Sequence, residues 1–304
     1  MTGLIKQNKV TSSCFYRIHP YVSFLYFLVA MVLIMFSMHP VILVTGFLFS
    51  FVYSIVLGGR RQLLMNLKLL PVALLVCVIN PLFNHQGVTI LCYMNQNPIT
   101  LESILFGLMS GLMIYDILLY FQIFHQIVTE DKLICIFAKF FPIGSLLLTM
   151  AFRFVPMYRK QYRNVQRAQK CIGQDDHSGN ILTRIIHGVA NISALITWCL
   201  ENAIESSDSM KSRGFTLKGR TYYKNNRLTR LDKSYLIIEL SMVVILVVGS
   251  ILKVFYVNFF PVYHYANTNP YQMVFYVLWV VFCFLPYWMD KKEELAWHIS
   301  KQKI

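Results

Sequence analysis

Long apolar runs alternate with short polar intervals along the chain, and the runs have the length of membrane spans. The first covers Tyr21 to about Met38. His39-Pro40 turns the chain into a second, Val41 to Leu57, and Gly58-Gly59-Arg60-Arg61 turns it back into a third, Leu63 to Phe83. Each approaches the roughly 20 residues that a bilayer asks of a helix. Lys68 sits near the inner end of the third, where a long side chain snorkels, and Asn80-Pro81 is expected to loosen its far end. Asn84 to Thr100 carries no Lys or Arg, and Leu101 to about Val128 returns as a fourth span. Two more follow far downstream, Tyr235 to Val257 and Tyr271 to Met289. Between them Asn258 to Pro270 again lacks Lys and Arg. The pattern predicts an all-α, polytopic membrane protein of about six transmembrane helices with a cytoplasmic domain of long helices.

That domain is the polar island from Thr129 to Lys233, which holds 17 Lys or Arg against 8 Asp or Glu. Phe140 to Phe152 and Ile181 to Leu200 inside it are too apolar for solvated linkers and are expected to be helices that lie against something. As one helix, Ile181 to Arg213 would reach about 50 Å, unless Gly188 interrupts it. Its first half is apolar, whereas its second half carries Glu201, Glu205, Asp208 and Lys211. One end therefore suits the underside of a membrane and the other a soluble partner. Two segments of the island end in cations followed by Gly, namely Lys170-Cys171-Ile172-Gly173 and Lys211-Ser212-Arg213-Gly214. That is the punctuation of a capped helix C-terminus.

Charge orients these elements. Lys6, Lys9 and Arg17 precede the first span, the island is basic, and four lysines follow the last span. Both ends and the island then lie inside. The expected organisation is a cytoplasmic leader (1–20), a transmembrane block of four helices (21–128), a cytoplasmic domain (129–233), a second block of two helices (234–289) and a cytoplasmic tail (290–304). No cleavable signal peptide is expected, since the first apolar run is followed at once by another. With 56% hydrophobic and 14% charged residues, the chain is too apolar for one soluble core. Basic inner loops account for its net charge of +14, and no nucleic-acid partner is expected. Lys218, Arg220, Lys224, Arg227, Arg230 and Lys233 attract anionic membrane lipids, at about 1 kcal/mol each near the surface.

Candidate chemistry is sparse. The seven cysteines include no CxxC pair, and Asp175-Asp176-His177 reads as a solvated loop, so no metal site is expected. HExxH, GxSxG and P-loop motifs are absent, and any ATP hydrolysis must come from another chain. Asp116 stands in mid-span, where a lone carboxylate is costly; it is expected to be neutral or paired with another subunit. Arg153 follows a largely apolar stretch of twelve residues and either reaches headgroups or lines an interface. Two rival readings are a self-sufficient secondary transporter and an intramembrane lipid-modifying enzyme. The first would usually show internal repeats, and the second would need paired acidic motifs to hold a magnesium-diphosphate.

The ordered motifs resemble a known family. Tyr16-Arg17-Ile18-His19-Pro20, Asn80-Pro81-Leu82-Phe83, Thr100 to Leu108, Ala151-Phe152-Arg153-Phe154-Val155-Pro156 and Lys211-Ser212-Arg213-Gly214-Phe215 follow one another as in the transmembrane (T) component of energy-coupling factor (ECF) transporters. That family includes the cobalt-transport permease subunit. The resemblance implies a non-catalytic scaffold in the cell membrane of a prokaryote. It joins two ABC-type ATPase subunits, which bind ATP and Mg, to a small substrate-binding (S) membrane subunit that takes a vitamin or a metal ion. No cofactor is implied in this chain itself. Coupling to the ATPases falls on Ser212, Arg213 and Gly214, and on Lys170, Cys171, Ile172 and Gly173. Ile172 departs from the family pattern, which has arginine there. Lys170 is about 200° around the helix from it and does not simply substitute.

Overall fold

The computed structural model describes residues 15, 18–94, 97–173, 181–215, 217, 229–252, 254, 255, 257, 259, 260 and 270–302. Its elements are α1 (Pro20–Phe36), α2 (Pro40–Phe83), the strands β1 (Ile90–Met94) and β2 (Asn97–Thr100), α3 (Leu101–Ile127), α4 (Glu130–Phe140), α5 (Pro142–Cys171), α6 (Ile181–Ser212), α7 (Arg230–Ile251) and α8 (Pro270–Gln302). The chain divides into two compact units, Met1–Leu133 with Arg227–Ile304, and Ile134–Asn226.

The first unit is a helical bundle. Its first two helices start alike: His19 and His39 are N-caps, with proline at the first helical position, and each imidazole accepts an N–H from two residues on, Tyr21 at 3.3 Å and Val41 at 3.2 Å. Within α2 the backbone breaks at Gly59, whose φ of 60° and ψ of −153° only glycine adopts at little cost. The helix is therefore two membrane-length limbs, 40–58 and 60–83, joined where the Gly-Gly-Arg-Arg turn is expected. Ser54 and Asn66 bridge the limbs with side-chain hydrogen bonds of 3.1 and 3.2 Å. Counting both limbs, the bundle has the six apolar segments read from the sequence. The second limb stays helical through Pro71 and Pro81 to Phe83, so the loosening expected at Asn80-Pro81 does not occur. Asn80 instead donates to the Ser110 hydroxyl on α3 at 2.7 Å, which ties the two helices together there.

The second limb and α3 approach closely because α3 offers small residues at every fourth position: Ser103, Gly107 and Gly111. A Cβ added at Gly107 would come within 2.9 Å of the Cys77 carbonyl, and one at Gly111 within 2.9 Å of the Ala73 carbonyl. The connection before α3 holds a feature that the sequence pattern does not announce, an antiparallel ribbon of β1 and β2. Glu102 secures its base by accepting the Thr89 N–H at 3.3 Å, while Thr100 donates its hydroxyl to the Gln86 carbonyl and caps α3. In the middle of the bundle Tyr26, Phe27, Tyr120, Ile123, Trp279 and Phe282 are fully buried. Trp279 donates its indole N–H to Thr45 at 3.1 Å, satisfying the polar edge of the ring.

In the second unit α5 and α6 meet at Tyr158 and Trp198, whose rings lie edge to face at 6.1 Å. Helix α6 is continuous past Gly188 and spans about 48 Å. Five helices are long and apolar enough to cross a membrane: α2, α3, α6, α7 and the Pro270–Lys292 part of α8. Of these α6 has the lowest mean hydropathy, 1.3, and α1 is a shorter apolar helix.

Candidate coupling site

The C-terminus of α6 shows why its last residues are arranged as they are. Gly214, at φ 73°, reverses the backbone so that its N–H reaches the Lys211 carbonyl at 3.0 Å and the Phe215 N–H reaches Met210 at 3.1 Å. This paired closure satisfies carbonyls that would otherwise end the helix unpartnered. Ser212 turns its hydroxyl back onto the Ser209 carbonyl at 2.9 Å, so it serves its own helix. Lys211 pairs at 3.7 Å with Asp208 on the surface, an interaction worth little. Arg213 is left exposed and makes no ion pair among the described residues. A guanidinium presented this way is ready to take a carboxylate or a helix end on another molecule.

The first segment closes similarly. Gly173 has φ 83°, its N–H reaches the Lys170 carbonyl at 3.1 Å, and the Ile172 N–H reaches Gln169 at 3.2 Å. Lys170 and Cys171 are exposed, and Ile172 is 70% exposed, an apolar knob where the resemblance expects a cation. From the meeting of Tyr158 and Trp198, Cys171 lies 13 residues onward along α5 and Arg213 lies 15 onward along α6. Each motif is thus carried about 20 Å out on its own helix arm. Along α6, Ile181, Ile185, Val189, Ile192, Ile196, Leu200 and Ile204 are all exposed, an apolar stripe at helical spacing.

Arg153 is exposed on α5 and makes no ion pair among the described residues. Asp116 is fully buried inside the first unit. Its Oδ1 accepts the Ser50 hydroxyl at 3.1 Å, and the missing side chain of Gly46 makes room for Oδ2, which has no hydrogen-bond partner among the described residues. The carboxyl therefore faces α2 of its own chain and not an outer surface. Asp175, Asp176 and His177 fall outside the described residues, as do Lys218, Arg220, Lys224 and Arg227. No group of three or more metal-ligating side chains occurs among the described residues.

Three acidic residues matter more than the sequence reading allowed. Asp232 completes the capping box of α7 with Thr229 and also accepts the His19 N–H at 3.3 Å, which ties the start of α1 to the start of α7. Asp290 on α8 accepts the Phe15 N–H at 3.1 Å and the Tyr53 hydroxyl at 2.9 Å. Glu239 is buried in mid-α7 with its Oε1 unpartnered among the described residues. The rule that flags Asp116 flags Glu239 as well, since both are carboxylates inside an apolar run. Locally Asp232 shows only as the capping partner of Thr229, and nothing local marks its hold on His19 or the hold of Asp290 on Phe15, because those groups are more than 200 positions away.

No protein-family model matches the chain. Among curated proteins it is similar to the energy-coupling factor transporter transmembrane protein EcfT of Acidaminococcus fermentans. The two are 27% identical over 248 residues, covering 72% of this chain and 88% of that protein. That relative is of the same kind as the family the ordered motifs resemble.

Proposed function

We propose that this chain is the transmembrane scaffold of an energy-coupling factor importer, passing ATP-driven motion from two cytosolic ATPases to a small substrate-binding membrane subunit. The observation that carries the reading is the end of α6, a long helix whose glycine cap holds Arg213 exposed and without an ion pair among the described residues. The likeness to EcfT supports it from a separate direction.

In this reading α6 lies along the inner side of the membrane, although its length and composition would let it cross. A crossing α6 would send the basic residues on its two sides to opposite faces, against the positive-inside rule. Its exposed apolar stripe is then a surface for the substrate-binding subunit, and its polar end is the arm that meets the ATPases. Vitamin or metal-ion cargo is selected by that second membrane subunit, while ATP and Mg belong to the ATPases.

With Ile172 in place of a cation, Arg213 carries most of the ionic docking. Removing one partner of a desolvated charge pair costs roughly 2 to 5 kcal/mol, which weakens association about 30-fold or more. Arg213→Glu is therefore expected to lose co-purifying ATPases or to uncouple ATP hydrolysis from uptake, with membrane insertion unchanged. Arg213→Ala is the neutral comparison, and Ile172→Arg is expected to be tolerated or to tighten assembly. Pull-down through a tag on this chain, with uptake in reconstituted vesicles, measures both. Normal assembly and transport by Arg213→Glu would reduce Arg213 to a helix-capping residue. Uptake by the chain alone, driven by an ion gradient, would instead establish a secondary transporter.

A further inference from the structure

A second cationic feature of the α5–α6 unit lies away from both glycine caps. Arg159 and Arg163, four residues apart on α5, line a cleft of about 620 Å³ whose other walls include Tyr158, Tyr162, Val155 and, from α6, Leu195. One helical turn sets the two arginines on the same face with a backbone rise of about 6 Å between them, so that their long side chains can reach one tetrahedral anion. Both side chains are exposed and neither makes an ion pair among the described residues, so their donors are available. The remaining walls are two phenol rings, two aliphatic side chains and the Gln166 amide. Such a cleft suits a ligand with an anionic head and an apolar stem.

We infer that this cleft binds the phosphate headgroup of an anionic phospholipid, with the arginine pair on the phosphate and the glycerol and first acyl carbons against Val155, Leu195 and the tyrosine rings. Charge and polarity both favour this occupant. A free phosphate would satisfy the arginines but leave the apolar walls wet, whereas the one or two methylenes of an acidic side chain cover little of them. Chain order favours it too, because this unit stands in sequence between two apolar helices, α3 before it and α7 after it, on the side marked as inner by charge. The inference does not rest on the coupling role of Arg213, since the two motifs use different residues and different ligands.

The full-length chain, purified from membranes and exchanged into nanodiscs of phosphatidylcholine with or without phosphatidylglycerol, tests it by native mass spectrometry of the retained lipid. The parent is expected to keep phosphatidylglycerol in preference to phosphatidylcholine. A cation near an anionic surface contributes a factor of about five, so Arg159→Gln with Arg163→Gln should weaken that retention roughly 25-fold. Arg159→Lys with Arg163→Lys should keep most of it. Arg167→Gln removes one charge from the same helix outside the cleft and should change little. Excess glycerol phosphate or inorganic phosphate should not displace the lipid. Unchanged retention by the double glutamine variant, or equal loss in Arg167→Gln, overturns the site. Displacement by inorganic phosphate makes it a soluble-anion site instead. Retained lipid with loss of co-purifying ATPase in the double glutamine variant assigns the cleft to an acidic protein surface. An aggregated double glutamine variant transfers the decision to the lysine pair, whose failure to hold phosphatidylglycerol would also sink the inference.

Discussion

His19-Pro20 and His39-Pro40 each supply an imidazole cap and a proline at the first helical position, so one dipeptide performs the same task twice. At His39 the hydrogen bonds define the tautomer. Nδ1 accepts the Val41 N–H, so the neutral ring carries its proton on Nε2, which lies 2.9 Å from the Tyr276 oxygen. Burial lowers the pKa of His39 from its ordinary 6.5, and protonating Nδ1 would set two N–H groups against each other. The folded protein therefore prefers the neutral ring. The stability this gives is present above the unfolded pKa and is lost as pH falls below about 6.5 toward the lower folded value. Thermal unfolding in detergent is expected to shift down between about pH 7.5 and about pH 5.5, and less so in His39→Asn, which retains a capping side chain without the titration. Equal shifts in parent and variant would place the pH sensitivity elsewhere. The cap itself was legible as a turn from the His-Pro pair; the pairing with Tyr276, 237 positions away, was not.

Among the elements, glycines that look alike in sequence have opposite meanings. Gly111 stands against the backbone of α2, with the Ala73 carbonyl 2.9 Å from where a Cβ would sit, whereas nothing lies within 4 Å of the same point at Gly188. Gly111→Ala must push two helices apart and is expected to cost about 1 to 3 kcal/mol. Gly188→Ala, in the middle of α6, is expected to stabilise by about 0.5 to 1 kcal/mol through helix propensity. Unfolding midpoints of the two variants, measured in the same detergent, are predicted to move in opposite directions. The interruption considered at Gly188 did not arise because a single glycine weakens a helix without breaking it. At Gly59 and Gly214, by contrast, the break and the cap were readable because charged neighbours and the end of an apolar run accompany the glycine.

For the whole molecule, the acidic residues at the ends of the last two membrane helices hold Phe15 and the start of α1 to the bundle. Asp232 holds the chain at His19, and Asp290 holds it at Phe15 while also meeting Tyr53. Asp232→Ala leaves the His19 N–H and the Thr229 cap without their acceptor and is expected to cost about 1 to 3 kcal/mol, seen as a lower unfolding temperature with the spans still inserted. Orientation has its own measurement. Cys92, in β1, and Cys171, at the end of α5, are both exposed, and an impermeant thiol reagent on intact cells is predicted to label Cys92 and spare Cys171. The opposite result would invert the assignment of sides. By itself the sequence determined the six apolar segments, the glycine-marked break at Gly59 and caps at Gly173 and Gly214, and the basic island, because hydrophobic runs, caps and charge counts are properties of neighbouring residues. The tertiary structure alone decided that Ser50 meets Asp116 across 66 positions, that Asp232 meets His19 across 213, and that Leu195 closes the arginine cleft of α5. Such contacts come from how helices pack, and the α2–α3 approach that brings Ser50 near Asp116 depends on small residues and burial along both helices at once.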